Sequence, residues 1–365
     1  PALLSAMTEF ATARRDALVE RLFQASVGAF DLAGVYLGGR LGLYRALAER
    51  GPLTAAELAE DTGVHERYAR EWLEQQATTG ILEAERAGEE WRFGLPEGHD
   101  EALLDEDSLN YVAPFSQLLL GCVRPIDALL EAYRTGDGVP YGDYGSDLYQ
   151  AQAAFTRPMF VRLLAQEWLP ALSDVDARLR ADPPARVADL ACGGGVSTVA
   201  IAKGYPKVSV DGIDLDAPSI EQARAYLSGS GVEDRVEFHV RDAADPQLRG
   251  RYDLVTIFEA VHDMSYPVAV LRAARDLLSD GGCVIVGDEL TAEAFGVAND
   301  DLERLYYGFS VLHCLPVGMI GEDAAGTGTV MRADTLEQYA RAAGFETVEV
   351  APIENDFWRF YVLRP

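Results

Sequence analysis

A run of small residues, Ala191-Cys192-Gly193-Gly194-Gly195, follows the apolar stretch Val187-Ala188-Asp189-Leu190 and precedes Ser197-Thr198-Val199, which opens a helix. Small residues let a backbone turn tightly and approach a ligand, and the first turn of a helix leaves N–H groups unpaired. Many nucleotide-binding folds share such a turn, so its company decides the reading. The next predicted strand ends Val210-Asp211-Gly212-Ile213-Asp214 and places a carboxylate nineteen positions after Gly195. A carboxylate at that strand tip can accept both hydroxyls of a ribose. A third strand is followed by Arg241-Asp242-Ala243, where a carboxylate and a backbone N–H can read an adenine edge. A fourth, Tyr252 to Phe258 with Glu259 at its tip, runs into the same crevice. The dinucleotide fingerprint G-x-G-x-x-G is absent, because the three glycines are consecutive and Thr198 stands where the last one belongs. That sets a nicotinamide enzyme aside.

Directly after the fourth strand comes His262-Asp263-Met264, and a long insertion from Leu290 to Arg332 carries Ser310-Val311-Leu312-His313-Cys314. Two imidazoles and one carboxylate form the facial set that holds a divalent metal, iron or zinc, while leaving positions open. Neighbours in an extended strand point to opposite faces, so His262 and Asp263 can share an ion only where the backbone leaves the strand. Two other readings stand beside the metal: His262 as a metal-free general base, and His313 as a hydrogen-bonded core residue. Arg157 could pair a substrate carboxylate through its fork of donors, and Glu289 is a further candidate base. Tyr141, Tyr144, Phe155, Tyr306, Tyr307 and Phe309 could close a pocket, though helical spacing equally places such residues in a core.

From Arg186 onward strands and helices alternate. The predicted strands are Arg186 to Leu190, Val208 to Ile213, Val236 to His239, Tyr252 to Phe258, Cys283 to Asp288, Thr347 to Ala351 and Phe357 to Val362. This texture predicts a mostly parallel sheet with helices on both faces, an α/β fold. Upstream, apolar residues at three- and four-residue steps from Thr8 to Arg50 predict helices broken near Gly28, Gly34 and Gly38-Gly39. Leu41 to Leu95 reads as a winged helix: a helix capped by Thr54, a turn at Gly63, a helix from His65 to about Thr79, and a wing from Glu83 to Phe93. The expected division is a helical, winged-helix dimerisation domain over 1–98, a helical linker and substrate lid over 99–185 with a Gly- and Tyr-rich loop from Thr135 to Gly145, and a cofactor domain over 186–365.

Nucleic acid is not expected at the winged helix. From Thr54 to Leu95 there are ten acids against four arginines, and the whole chain has a formal net charge of −28, which repels phosphate backbones. A small molecule is the expected partner, together with a second copy of the chain. Cys122, Cys192, Cys283 and Cys314 lack paired spacing and read as free thiols. No apolar run reaches the length of a membrane span and no secretion signal is visible, so the expected location is the cytoplasm without membrane attachment.

The segment Arg186 to Asp288, including Gly281-Gly282 before the fifth strand, resembles the class I S-adenosylmethionine-dependent methyltransferases. The resemblance implies a Rossmann-like, seven-stranded domain. It implies that Asp189 and the loop Ala191 to Gly195, with Gly193, hold the methionine part, Asp214 with Leu215 the ribose, and Asp242 with Ala243 the adenine. Phe258 and Glu259 would lie beside the cofactor. Ala191 departs from the glycine most common in the family. More narrowly, His262-Asp263-Met264, Asp301-Leu302-Glu303-Arg304-Leu305 and His313 look like the metal-containing 2-oxo acid C-methyltransferases of actinobacterial peptide-antibiotic pathways. That likeness implies a divalent or trivalent ion, iron or zinc, on His262, Asp263 and His313, acting as a Lewis acid while the carbon beside a ketone, in phenylpyruvate or a branched-chain analogue, is methylated. The metal-free alternative is an O- or N-methyltransferase of a phenolic or polyketide-like molecule with His262 as base.

Overall fold

The computed structural model describes Ala2 to Pro365 except Pro246, Arg249, Ala298 and Asn299, with side chains described from Phe10 onward. The chain divides into two compact units, Pro1–Leu120 and Gly121–Pro365. The segment read as a linker and lid over 99–185 is therefore shared between them. Among the described residues no helix is long and apolar enough to cross a membrane.

The first unit opens with a single helix, α1 (Ala2–Arg40), followed by α2 (Leu43–Arg50), α3 (Ala55–Thr62), α4 (Glu66–Thr78) and the hairpin β1 (Glu83–Ala87) and β2 (Glu90–Gly94). Thr54 begins α3 with a reciprocal capping box: Thr54 Oγ1 accepts from Glu57 N, and Glu57 Oε2 accepts from Thr54 N at 2.8 Å. The predicted breaks in α1 do not occur. A Cβ on Gly38 would stand 2.5 Å from both Trp72 and Tyr44, and one on Gly34 would stand 2.6 Å from the Gln75 and Gln76 side chains. These glycines let α1 approach α4 closely, and Trp72 Nε1 donates to the Gly34 carbonyl at 2.9 Å. Further along, α1 leaves Phe10, Leu18, Leu22, Phe23 and Phe30 exposed.

The second unit is built on a seven-stranded sheet of β3 (Arg186–Leu190), β4 (Ser209–Asp214), β5 (Val236–Val240), β6 (Tyr252–Phe258), β7 (Leu278–Glu289), β8 (Thr347–Val350) and β9 (Trp358–Arg364). Their order is β5-β4-β3-β6-β7-β9-β8, with the first five parallel and β9 antiparallel to both neighbours. Each predicted strand is present, offset by a few residues at most except for the earlier start of β7. Val187, Leu190, Val255, Ile257, Val284 and Val286 are all buried, as parallel strands covered on both faces require. Chain order reverses between β3 and β6, and that switch point opens the crevice in which ligands of such sheets bind. The covering helices that shape it are α5 (Ser146–Met159), α6 (Val196–Gly204) and α7 (Ala217–Leu227). Two π-helical stretches, Phe160–Trp168 beyond Pro158 and Ser310–Cys314 before Pro316, interrupt the regular register, a device often found beside functional sites.

Candidate active site

A cavity of about 340 Å³ lies at the switch point, floored by the tips of β3, β4 and β6. The size is within the range of small-molecule sites. Two residues without glycine's freedom take left-handed backbone there, Ala191 at φ 55° after β3 and Glu259 at φ 52° after β6. Strain of this kind concentrates at ligand sites. Gly195, at φ 75°, caps α6; a Cβ there would stand 2.5 Å from Phe238 and 2.8 Å from Ala223, so only glycine fits.

Asp189 lines the cavity, but its carboxylate already accepts from Ser197 Oγ at 2.6 Å, Thr198 Oγ1 at 2.7 Å and Thr256 Oγ1 at 2.7 Å. Its first task is to tie the glycine turn to β6. Burial pushes its pKa up against those three donors. Asp214 accepts from Gly193 N and Asp216 N, each at 2.8 Å, which fixes its carboxylate beside the turn with lone pairs to spare for ribose hydroxyls. Ala191, Gly193, Asp214, Leu215, Phe258 and Glu259 all line the cavity. Gly195, Asp242 and Ala243 do not. Asp242 is exposed and caps its own turn by accepting from Ala244 N, while Ala243 is buried in the core, so the expected adenine contacts lie outside the cavity as it stands. Arg157 is likewise absent from the lining: its guanidinium lies 5.3 Å from the Tyr226 ring centroid, a cation–π contact beside α7.

The residues after β6 turn in one 3-10 step, Val261–Asp263, which sends neighbouring side chains to different places. Asp263 lines the cavity, whereas the His262 ring turns inward and is 2 % exposed. Its Nδ1 lies 2.8 Å from Asp288 Oδ1 and 2.9 Å from Glu289 Oε2, the latter outside hydrogen-bond geometry. Facing two carboxyl groups, Nδ1 carries the hydrogen. Burial works against a charged imidazole, but Glu289 and Asp288 outweigh it and hold the His262 pKa well above the usual value. Burial also opposes ionisation of Asp288, yet His262 keeps its pKa below the usual range, while burial and Asp288 drive that of Glu289 well up. Within the trio, the nearby carboxyls favour the charged form of His262, His262 favours the carboxylate of Asp288, and burial disfavours ionisation of Glu289. In the cavity wall, burial raises Asp263 to about 6 and Glu259 to about 8.

His313 does not line the cavity. It sits on the π-helical turn, its ring centroid 5.7 Å from that of Tyr141 and 4.6 Å from that of Tyr144, with Nδ1 3.4 Å from Cys314 Sγ. Burial lowers its pKa to about 3, so the ring is neutral, and its Nε2 is buried without a hydrogen-bond partner. The donor atoms of His262, Asp263 and His313, the ligand set expected from the sequence, do not gather within 4.8 Å of one another. Among the described residues, the groups of three whose donor atoms gather within 4.8 Å are His262 with Asp288 and Glu289, and Asp211 with Glu237 and His239. In the first, His262 Nδ1 lies 2.8 Å from Asp288 Oδ1. In the second, Asp211 is held by Arg186 and Tyr252, each at 2.8 Å.

Asp288 is the residue that sequence reasoning passed over. Its signal was available: Asp288-Glu289 ends a strand whose preceding residues, Cys283 to Gly287, are all apolar or glycine.

Two family models match the chain. One described as a methyltransferase domain covers residues 188–284, and one described as an Rv2258c-like winged HTH domain covers residues 32–104. A mitomycin biosynthesis 6-O-methyltransferase of Streptomyces lavendulae is 27 % identical over 77 % of this chain and 80 % of its own length. Other curated relatives are matched over 54–68 % of their own length. Among solved structures, mitomycin 7-O-methyltransferase MmcR superposes with a TM-score of 0.67 at 21 % identity, covering 97 % of this chain and 99 % of that one. Human N-acetylserotonin methyltransferase in complex with SAM gives a TM-score of 0.67 at 18 % identity over 95 % and 97 % of the two chains. These likenesses place a mostly helical winged-helix domain ahead of a Rossmann-like domain with a seven-stranded mixed sheet.

Proposed function

We propose that this chain is an S-adenosylmethionine-dependent methyltransferase that methylates a hydroxyl oxygen of a small aromatic or polyketide-like metabolite with His262 as general base. The observation that carries this reading is the pairing of the buried His262 with Asp288 at 2.8 Å, directly behind the strand tip whose residues Glu259, Ala260 and Asp263 wall the cavity. When bound, the cofactor supplies an electrophilic methyl group on a sulfonium. The Asp214 carboxylate would accept its ribose hydroxyls, and Phe160 and Phe258 would exclude water from the reacting end. Once the acceptor opens the wall between them, His262 would take its hydroxyl proton on the nitrogen that Asp288 does not hold, the side of the ring that faces Cys314 in this structure, and Asp288 would fix the tautomer and stabilise the imidazolium so formed.

The names of the relatives support oxygen as the acceptor, and the failure of His262, Asp263 and His313 to converge weighs against metal-assisted transfer to the carbon of a 2-oxo acid. The large apolar side chains that α1 leaves exposed, Phe10, Leu22, Phe23 and Phe30, support assembly as a homodimer through the first unit. A direct test is turnover after treatment with a strong chelator. Undiminished activity is expected; activity that is lost on chelation and restored by iron or zinc would return the metal to the mechanism.

A further inference from the structure

Five carboxyl groups line the cavity, those of Asp189, Asp214, Asp216, Glu259 and Asp263, and no Lys, Arg or His is among its described lining residues. Three of the five are engaged within the protein. Asp189 accepts from three hydroxyls, Asp214 from two backbone N–H groups, and Asp216 from Ser219 N at 2.8 Å and Ser219 Oγ at 2.7 Å, capping α7. Glu259 and Asp263 are the other two. They stand at the tip of β6, on the wall nearest His262, where an acceptor must lie if the proposed O-methyl transfer is right.

Resting on that reading, we infer that Glu259 and Asp263 select the acceptor by charge, admitting uncharged or cationic hydroxyl compounds and refusing those that carry a carboxylate near the reacting group. A buried carboxyl offers an incoming anion at most one hydrogen bond and never a counter-charge. His262, behind that wall, is already committed to Asp288 at 2.8 Å with Glu289 beside it. An anionic acceptor would therefore leave water without a partner for its charge, the repulsive element on which discrimination between similar ligands rests. A hydroxyl or an ammonium group meets acceptors ready to receive its hydrogens.

The test uses three probes that share one phenol ring: para-cresol, tyramine and para-hydroxyphenylacetate. Each is titrated calorimetrically into the full-length enzyme saturated with S-adenosylhomocysteine, for the wild type, for Asp263→Asn and for the isosteric double variant Glu259→Gln with Asp263→Asn. The expected result is that para-hydroxyphenylacetate binds at least about tenfold more weakly than para-cresol, that tyramine binds at least as well as para-cresol, and that the gap narrows in the variants. An unchanged circular-dichroism spectrum and thermal unfolding midpoint show that a variant is folded. Equal or tighter binding of the anion, an unchanged gap in both folded variants, or no binding of any probe overturns the inference. Product analysis separates it from the reading it rests on. An anion that binds and is methylated on oxygen ends charge selection and spares O-methyl transfer; an anion refused by an enzyme that methylates carbon does the reverse.

Discussion

His262→Gln lowers kcat by about 10²- to 10⁴-fold, the usual worth of a positioned general base, while leaving affinity for S-adenosylmethionine unchanged. The separation follows from the geometry, since the His262 ring lies inward of the cavity wall, whereas Asp214 and Phe258, the residues proposed to hold the cofactor, line the cavity. The wild-type pH profile adds a second readout. Only the neutral imidazole can take a proton, and Glu289 and Asp288 raise the His262 pKa well above its ordinary 6.5 despite burial. The rate therefore climbs with pH and reaches its plateau on the alkaline side. Asp288→Asn removes the paired charge, so the rising limb moves to lower pH while the plateau falls, because the tautomer is no longer held. A His262 variant with normal kcat, or a limb that Asp288→Asn does not move, would exclude His262 as the base.

Asp214→Ala weakens cofactor binding by about 10- to 100-fold, as expected for losing hydrogen bonds to a charged acceptor worth about 1.5–3 kcal/mol. Asp214 has two duties: its oxygens hold Gly193 N and Asp216 N at 2.8 Å, and the same carboxylate faces the cavity. Asp214→Asn restores one acceptor oxygen and is expected to fall between the wild type and Ala. Calorimetric titration with S-adenosylhomocysteine measures the series without any acceptor present. Equal affinity across the three proteins would remove Asp214 from the cofactor site.

The sheet was legible because each strand carries its own signal, a short apolar run bounded by turn residues, and the signals recur with helices between them. The glycine turn and Asp214 were legible because cofactor contacts at strand tips depend on local spacing. The orientation of His262 relative to Asp263 was not: adjacent residues say nothing about which of them faces a cavity until the backbone turns, and a single 3-10 step over Val261–Asp263 sends one inward and the other to the wall. His313 was placed by tertiary packing, between Tyr141 and Tyr144, elements distant in sequence. Gly34 and Gly38 were read as helix breaks because glycine lowers helix propensity, whereas here the absence of a Cβ is what lets α1 meet Trp72, Tyr44 and the Gln75-Gln76 pair. Asp288 escaped notice because its partner, His262, is supplied from the turn that follows a different strand.

The most direct measurement is the fate of a carbon-13-labelled methyl group carried by S-adenosylmethionine, followed by NMR into the product that this enzyme forms from its acceptor. The label is expected in a methoxy group, on the oxygen whose proton His262 removes. A label bonded to carbon would contradict the account.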